Sequence, residues 1–84
     1  MNNKQNFIKP KAPIIGADGN IFNIIAIASR SLKNEGHYDL AKEMSSKVTR
    51  SNSYDEALNI IMDYVDPVEI NYHNDNSFSG MDYE

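Results

Sequence analysis

The residues whose types and spacing could do chemistry are concentrated in one short segment, Gly16-Ala-Asp-Gly-Asn20. An apolar stretch with helical spacing follows it, so we expect a turn that leads into a helix N-terminus. Backbone amides at such an end suit a phosphate or a carboxylate, and arginine adds a planar, bidentate donor. The candidate ligand-binding residues are therefore Gly16, Asp18, Gly19, Asn20, Asn23, Arg30 and Arg50.

The same segment also has a purely structural interpretation. A tight turn followed by a helix cap explains these residue types without any ligand. The segment lacks the Gly-Lys-Ser/Thr of a phosphate-binding loop and the three glycines of a dinucleotide fingerprint. It also lacks the regular acids and the closing glutamate of a calcium loop. The sequence leaves the structural and the ligand-binding interpretations open.

The sequence offers no catalytic constellation. There is no cysteine, and the two histidines, His37 and His73, are far apart without metal-ligand spacing. Asp55 and Glu56 are explained as first-turn charges that complement a helix dipole. A chain of 84 residues has difficulty enclosing a water-excluding pocket. We therefore expect a non-enzymatic binding protein with no catalytic residue, no metal and no cofactor.

The charge distribution changes along the chain, whose net charge is −4. Residues 1–36 carry five lysines and arginines against two acids, whereas residues 67–84 carry four acids and no base. This polarity predicts head-to-tail association between copies or with a partner, although chance and solubility explain it equally well. Homo-oligomers are the expected state. No dense basic stripe suggests duplex DNA. No apolar run suits a membrane and no signal peptide is recognisable, so we expect a cytoplasmic protein.

Three helices are predicted from apolar spacing and capping residues. The first begins just after Asn20 or Asp18 and stops at Gly36. The second begins at His37 or Tyr38 and continues to about Thr49. The third begins at a capping box, with Ser53 as N-cap and Glu56 three residues later, and ends before Asp66-Pro67. The fold class is therefore mainly α, a small three-helix domain.

The segments outside these helices complete the predicted organisation. Residues 1–13 are expected to form an extended basic arm, residues 14–72 the helical core domain, and residues 73–84 an acidic tail. Ile14-Ile15 and the alternating residues 68–72 predict a short two-stranded β piece. Apolar anchors within the tail could dock on a partner, and these candidate partner-binding residues are Phe78, Met81 and Tyr83.

Two motifs carry a resemblance to a known family. The first is Ile15-Gly-Ala-Asp-Gly-Asn-Ile-Phe22, and the second is Ser53-Tyr-Asp-Glu-Ala-Leu58 leading to Met62-Asp-Tyr-Val-Asp66. Together they resemble a family of short uncharacterised proteins from bacterial, phage and mobile-element genomes. That family has a Gly-x-Asp-Gly-Asn-x-Phe turn and a C-terminal Tyr-Asp-x-x-Leu helix. The resemblance covers about residues 13–68 and departs from the pattern at Pro67.

The resemblance implies a setting and no firmly known activity. Small acidic phage proteins often block host defences, either by occupying a defence protein or by sequestering a nucleotide signal as oligomers. One hypothesis is therefore an oligomeric anti-defence protein that binds a phosphorylated nucleotide. The alternative is a protein-interaction module that inhibits a host defence or regulatory protein through its arm or tail. A structural or assembly role without a ligand is the third hypothesis.

Overall fold

Three helices between two short strands make up the computed structural model, which describes residues 7–71. The predicted three-helix domain with a small two-stranded sheet is confirmed. The elements in chain order are β1 (Lys11–Ile15), α1 (Ile21–Asn34), α2 (Tyr38–Thr49), α3 (Tyr54–Tyr64) and β2 (Asp66–Glu69).

The predicted capping residues begin and end the helices. The Asn20 side chain accepts a hydrogen bond from the Phe22 amide at 2.8 Å, which starts α1. Gly36, at φ +84°, ends it, because a left-handed residue lets the His37 amide return to the Leu32 carbonyl at 2.8 Å. α1 thus has a polar cap at its start and a Schellman motif at its end.

The capping box of α3 has one unexpected partner. The Ser53 hydroxyl oxygen accepts from the Glu56 amide at 3.0 Å, as the sequence predicts. The Glu56 carboxylate accepts from the Asn52 amide at 3.0 Å, one residue before the N-cap. The exchange therefore ties down the α2–α3 connection as well as the helix end.

The core is built from one buried stripe on each helix. Helical periodicity brings every third or fourth residue to one face, and the packing of these faces holds helices that are too short to be stable alone. The buried apolar residues are Ala12, Ile24, Ala28, Leu32, Ala41, Met44, Val48, Ala57, Ile61, Tyr64 and Val65.

The two strands pair in parallel and start earlier than the sequence suggested. Lys11 lies opposite Asp66 and Ile15 opposite Glu69, with an irregularity between Pro13 and Ile15. The sequence placed the pair at Ile14-Ile15 and residues 68–72. Residues 11–13, assigned to the extended arm, are strand residues, because the fully buried Ala12 packs into the core. Parallel pairing requires a long connection, and the three helices provide it.

Prolines protect both outer edges of this sheet. The Asp66 amide donates to the Pro10 carbonyl at 2.8 Å, so Asp66 points its backbone groups toward β1. Because backbone groups alternate along a strand, the nitrogen atoms of Pro13 and Pro67 face the outer edges. A third strand would miss a donor on either side, so the prolines limit edge-to-edge addition.

A tyrosine near the end of α3 ties that helix to α2. The Tyr64 hydroxyl donates to Glu43 Oε2 at 2.6 Å, and Lys47 Nζ lies 3.5 Å from the same oxygen. Burial, together with the hydrogen bond to Glu43, raises the pKa of Tyr64 above its usual 10.0. Interactions with the Tyr64 hydroxyl and with Glu43 raise the pKa of Lys47.

This tie predicts an alkaline loss of stability. The folded state favours neutral Tyr64, so that contribution is complete below pH 10.0 and is lost as pH rises through the higher folded-state pKa. Tyr64→Phe should lose about 1 kcal/mol at neutral pH and show a shallower decline above pH 10. Urea unfolding across this pH range measures both effects. Tyr38→Phe, at an exposed position, is the control. If the curves of Tyr64→Phe and wild type stayed parallel, the assignment would be wrong.

Candidate functional site

The turn before α1 is closed by its own polar groups. The Ala17 amide donates to the Ile14 carbonyl at 3.0 Å, with Gly16 between them at φ +94°. The Asn20 amide donates to Asp18 Oδ1 at 3.1 Å, and the Asn23 side-chain amide donates to the Asp18 carbonyl at 2.9 Å. Two groups predicted to be ligand donors, the backbone amide of Asn20 and the side-chain amide of Asn23, therefore donate hydrogen bonds within the turn itself.

The charge at this turn is also the wrong sign for an anion site. The Asp18 carboxylate sits at the positive end of the α1 dipole, where a bound phosphate would otherwise be stabilised. The amides of Asn20 and Phe22 already donate to side-chain oxygen atoms of the turn. The geometry favours the structural interpretation of residues 16–20, in which Asp18 and Asn20 cap the helix.

The two candidate arginines lie away from the turn. Arg30 is seven residues after Asn23 on the same side of α1, about 10 Å along the helix axis. Arg50 follows the end of α2, and its Nη1 donates to Ser46 Oγ at 2.8 Å. Within residues 7–71, no hydrogen bond or ion pair joins either guanidinium to the turn. The structure does not assemble these residues into one phosphate site.

A groove lies beside the turn, at the N-terminal ends of α1 and α3. We call it the aromatic groove, and its volume is about 410 Å³. It is lined by Ile21, Phe22 and Ile25 of α1, Val48 and Thr49 of α2, Ser51, Asn52 and Ser53 of the connection, and Tyr54 and Ala57 of α3. None of these lining residues is charged.

Two aromatic rings stand at this groove. Phe22 is 77% exposed and Tyr54 is 47% exposed. The Tyr54 hydroxyl donates to the Gly19 carbonyl at 2.5 Å, which joins the start of α3 to the turn before α1. At this exposure the Phe22 ring contributes little to the packing of the core.

A second cleft lies between α1 and α2, toward the end of α1 and the start of α2. We call it the lysine cleft, with a volume of about 350 Å³ and a lining of Ser29, Lys33, Tyr38, Ala41, Lys42 and Ser45. It holds two ammonium groups, three hydroxyls and one exposed ring. No carboxylate belongs to the lining among residues 7–71, and no ion pair in that part of the chain involves Lys33 or Lys42.

The aromatic groove and the lysine cleft adjoin along the α1–α2 seam. Ile25 of the groove and Ser29 of the cleft are one helical turn apart on α1, and Ser45 and Thr49 are one turn apart on α2. We call the two depressions together the furrow. Arg30 lies on a different side of α1 from the furrow. It follows Asn23 by seven residues, about two helical turns, and therefore lies on the same side of the helix as Asn23.

Sequence reasoning missed the furrow although a signal was present. Phe22, Ile25, Ser29 and Lys33 follow one another at spacings of three, four and four residues, which places them along one side of a helix. From the sequence, the apolar members of this set indicate only a helix, and neither Lys33 nor Lys42 is among the candidate site residues. The partner-binding candidates Phe78, Met81 and Tyr83 lie outside the described residues.

Among residues 7–71, no three His, Cys, Asp or Glu side chains come together as metal ligands would. In the same part of the chain, no helix has the length and hydropathy needed to cross a membrane.

Comparisons with protein-family models, curated proteins and solved structures found no match to this chain. The resemblance carried by residues 15–22 and 53–66 therefore stays a prediction.

Proposed function

We propose that this protein is a non-enzymatic binding protein that holds a partner protein by an apolar anchor in the aromatic groove. The observation that supports the proposal is Phe22, a large ring left 77% exposed at a groove whose lining residues carry no charge. Binding sites of this kind are concave, mostly apolar and edged by a few polar groups. Here the polar edge consists of Thr49, Ser51, Asn52 and Ser53.

The groove has the features of an energetic centre in a protein interface. Aromatic residues dominate such centres, and truncating one at a central position costs about 2 kcal/mol or more. Phe22 and Tyr54 supply two rings, and the Tyr54 hydroxyl is already held by Gly19. A partner side chain that fills the space between them gains apolar contact and leaves no charge of the lining buried.

A second candidate function is the binding of a phosphorylated small molecule, and the lysine cleft favours it. Two ammonium groups without a carboxylate in the lining can receive phosphate oxygen atoms, and the Tyr38 ring, 64% exposed, can stack on a base. This site differs from the turn predicted from the sequence. The anti-defence role and the assembly of copies that the sequence analysis predicts are compatible with either function and stay predictions.

Selection from a random peptide library tests the proposed function. Peptides enriched on the immobilised protein should share an aromatic or aliphatic anchor, and their affinity should fall at least about tenfold for Phe22→Ser. Ile8→Ser is the matched control, because Ile8 is 84% exposed and does not line the groove. Enriched peptides that bind Phe22→Ser and wild type equally would contradict the proposal, as would a library without enrichment.

A thermal-shift panel of mononucleotides, cyclic nucleotides and ADP-ribose tests the second candidate. A stabilising nucleotide should lose its effect on Lys33→Glu and Lys42→Glu and keep it on Lys11→Glu, an exposed control outside the cleft. Loss on Asn20→Ala and Arg30→Glu instead would assign the ligand to the turn. A flat response across the panel would reject this function.

A further inference from the structure

The furrow presents two chemistries in a fixed order. Its aromatic groove lies toward the start of α1, and its lysine cleft lies toward the end of that helix. Ile25 and Lys33 are eight residues apart, or about 12 Å along the helix axis. A complementary ligand carries an apolar anchor and, about 12 Å away, negative charge. In an extended peptide this distance corresponds to about four residues.

The chain itself contains a segment of that composition. Residues 72–84 lie outside the described residues. They contain the anchors Phe78, Met81 and Tyr83, the acids Asp75, Asp82 and Glu84, and no lysine or arginine. Phe78 precedes Asp82 by four residues, so an anchor and a carboxylate have the spacing that the furrow requires.

The described chain also leaves the domain on the side of the aromatic groove. The Ile70 amide donates to the Ile15 carbonyl at 2.9 Å, and Ile70 lies beside Gly16. Gly16 begins the turn that carries Gly19, the acceptor of the Tyr54 hydroxyl at the groove. The seven residues 72–78 span up to about 23 Å when extended, whereas the six steps from Gly16 to Phe22 span at most about 20 Å.

We infer that the furrow binds residues 72–84 of the same chain, with Phe78 in the aromatic groove and the acidic residues toward Lys33 and Lys42. The inference rests on the proposed function, and it names the segment that occupies the furrow when no partner protein is bound. The bound segment covers the Phe22 ring, and its carboxylates pair with two lysines that no described carboxylate pairs. A partner protein must displace this segment, so the segment sets the apparent affinity of the site.

Amide chemical shifts of the full-length chain test the inference. Phe78→Ser should shift the resonances of Phe22, Ile25 and Tyr54, and Asp82→Lys should shift those of Lys33 and Lys42. Ser79→Ala is the matched control within the segment and should leave both groups unchanged. A synthetic peptide of residues 72–84, added to the Phe78→Ser protein, should saturate the same resonances. Furrow resonances that stay unchanged in Phe78→Ser would overturn the inference.

Dilution separates binding within one chain from binding between copies. Contacts within a chain do not depend on protein concentration, so the furrow resonances should be constant over a hundredfold dilution. Resonances that move on dilution toward their positions in Phe78→Ser would show exchange between copies and overturn the inference as stated. Size-exclusion chromatography with light scattering on the same samples reports whether such copies assemble.

Peptide affinity separates this inference from the proposed function. Peptides selected on the groove should bind Phe78→Ser at least about fivefold more tightly than wild type, because an intramolecular competitor has been removed. Equal affinity would reject the competing segment and leave the proposed function standing. Absence of peptide enrichment on both proteins would reject the proposed function instead.

Discussion

Replacing Leu32 by alanine should lower the free energy of unfolding by about 3 kcal/mol. Leu32 is among the largest fully buried side chains and lies in the last turn of α1, where that helix meets the core. Removing its isobutyl group leaves a cavity and forfeits the apolar surface that folding buries. Alanine is the best helix former, so helix propensity does not contribute to the loss.

Urea unfolding followed by circular dichroism measures this loss. A domain of this size is stable by only a few kcal/mol, so much of the Leu32→Ala protein should be unfolded without denaturant. Arg30→Ala, an exposed change on the same helix, should alter stability by less than about 0.5 kcal/mol. Equal stabilities of the two variants would mean that α1 does not pack as described.

Replacing Ala12 by aspartate should destabilise the domain by several kcal/mol. Ala12 is fully buried in β1, and a carboxylate there would be removed from water, since no buried residue among residues 7–71 is polar or charged. The loss should shrink in acid, because burial raises the pKa of an unpaired carboxyl group and its protonated form is less costly to bury.

Lys11→Asp is the matched control for this change. It introduces the same carboxylate one residue earlier, at an exposed strand position opposite Asp66. A like charge across the strands should cost about 1 kcal/mol or less. If Ala12→Asp cost no more than Lys11→Asp in urea unfolding, residues 11–13 would belong to an arm outside the core.

The helices could be predicted because their signals are local. The Asn20 cap, the Gly36 stop and the Ser53 capping box each depend on residues within one or two turns. The Glu56 carboxylate is the exception, since it accepts from Asn52 where the usual pattern names the N-cap amide. Even this difference displaces the bond by one residue and leaves the helix boundary unchanged.

The position of the sheet depends on contacts that local patterns do not encode. Lys11-Ala-Pro13 reads as a proline-bounded arm, because prolines are rare in the middle of sheets. In the structure Pro13 occupies an outer edge, where its missing amide is not needed, and Ala12 faces the core. Pairing with Asp66 joins residues more than fifty positions apart, and the packing of all three helices determines it.

The candidate site likewise combines features that local sequence predicts with features that depend on tertiary packing. The glycine and asparagine content of residues 16–20 predicts the turn. The hydrogen bonds within the turn depend on the side chains of Asp18 and Asn23, and the same side chains could equally have faced a ligand. The furrow needs the relative placement of α1 and α2. Lys33 and Lys42 lie on separate helices, and only antiparallel packing brings them to one cleft.

The parallel pairing of β1 and β2 has a mechanical meaning. The chain enters at one end of the sheet and leaves at the opposite end, so a force that separates residues 7 and 71 runs along both strands. Such a force acts on all the inter-strand hydrogen bonds together, from Asp66–Pro10 to Ile70–Ile15. An antiparallel pair held at one end would open one bond at a time. The smallest element of the fold is therefore placed to resist stretching by shear.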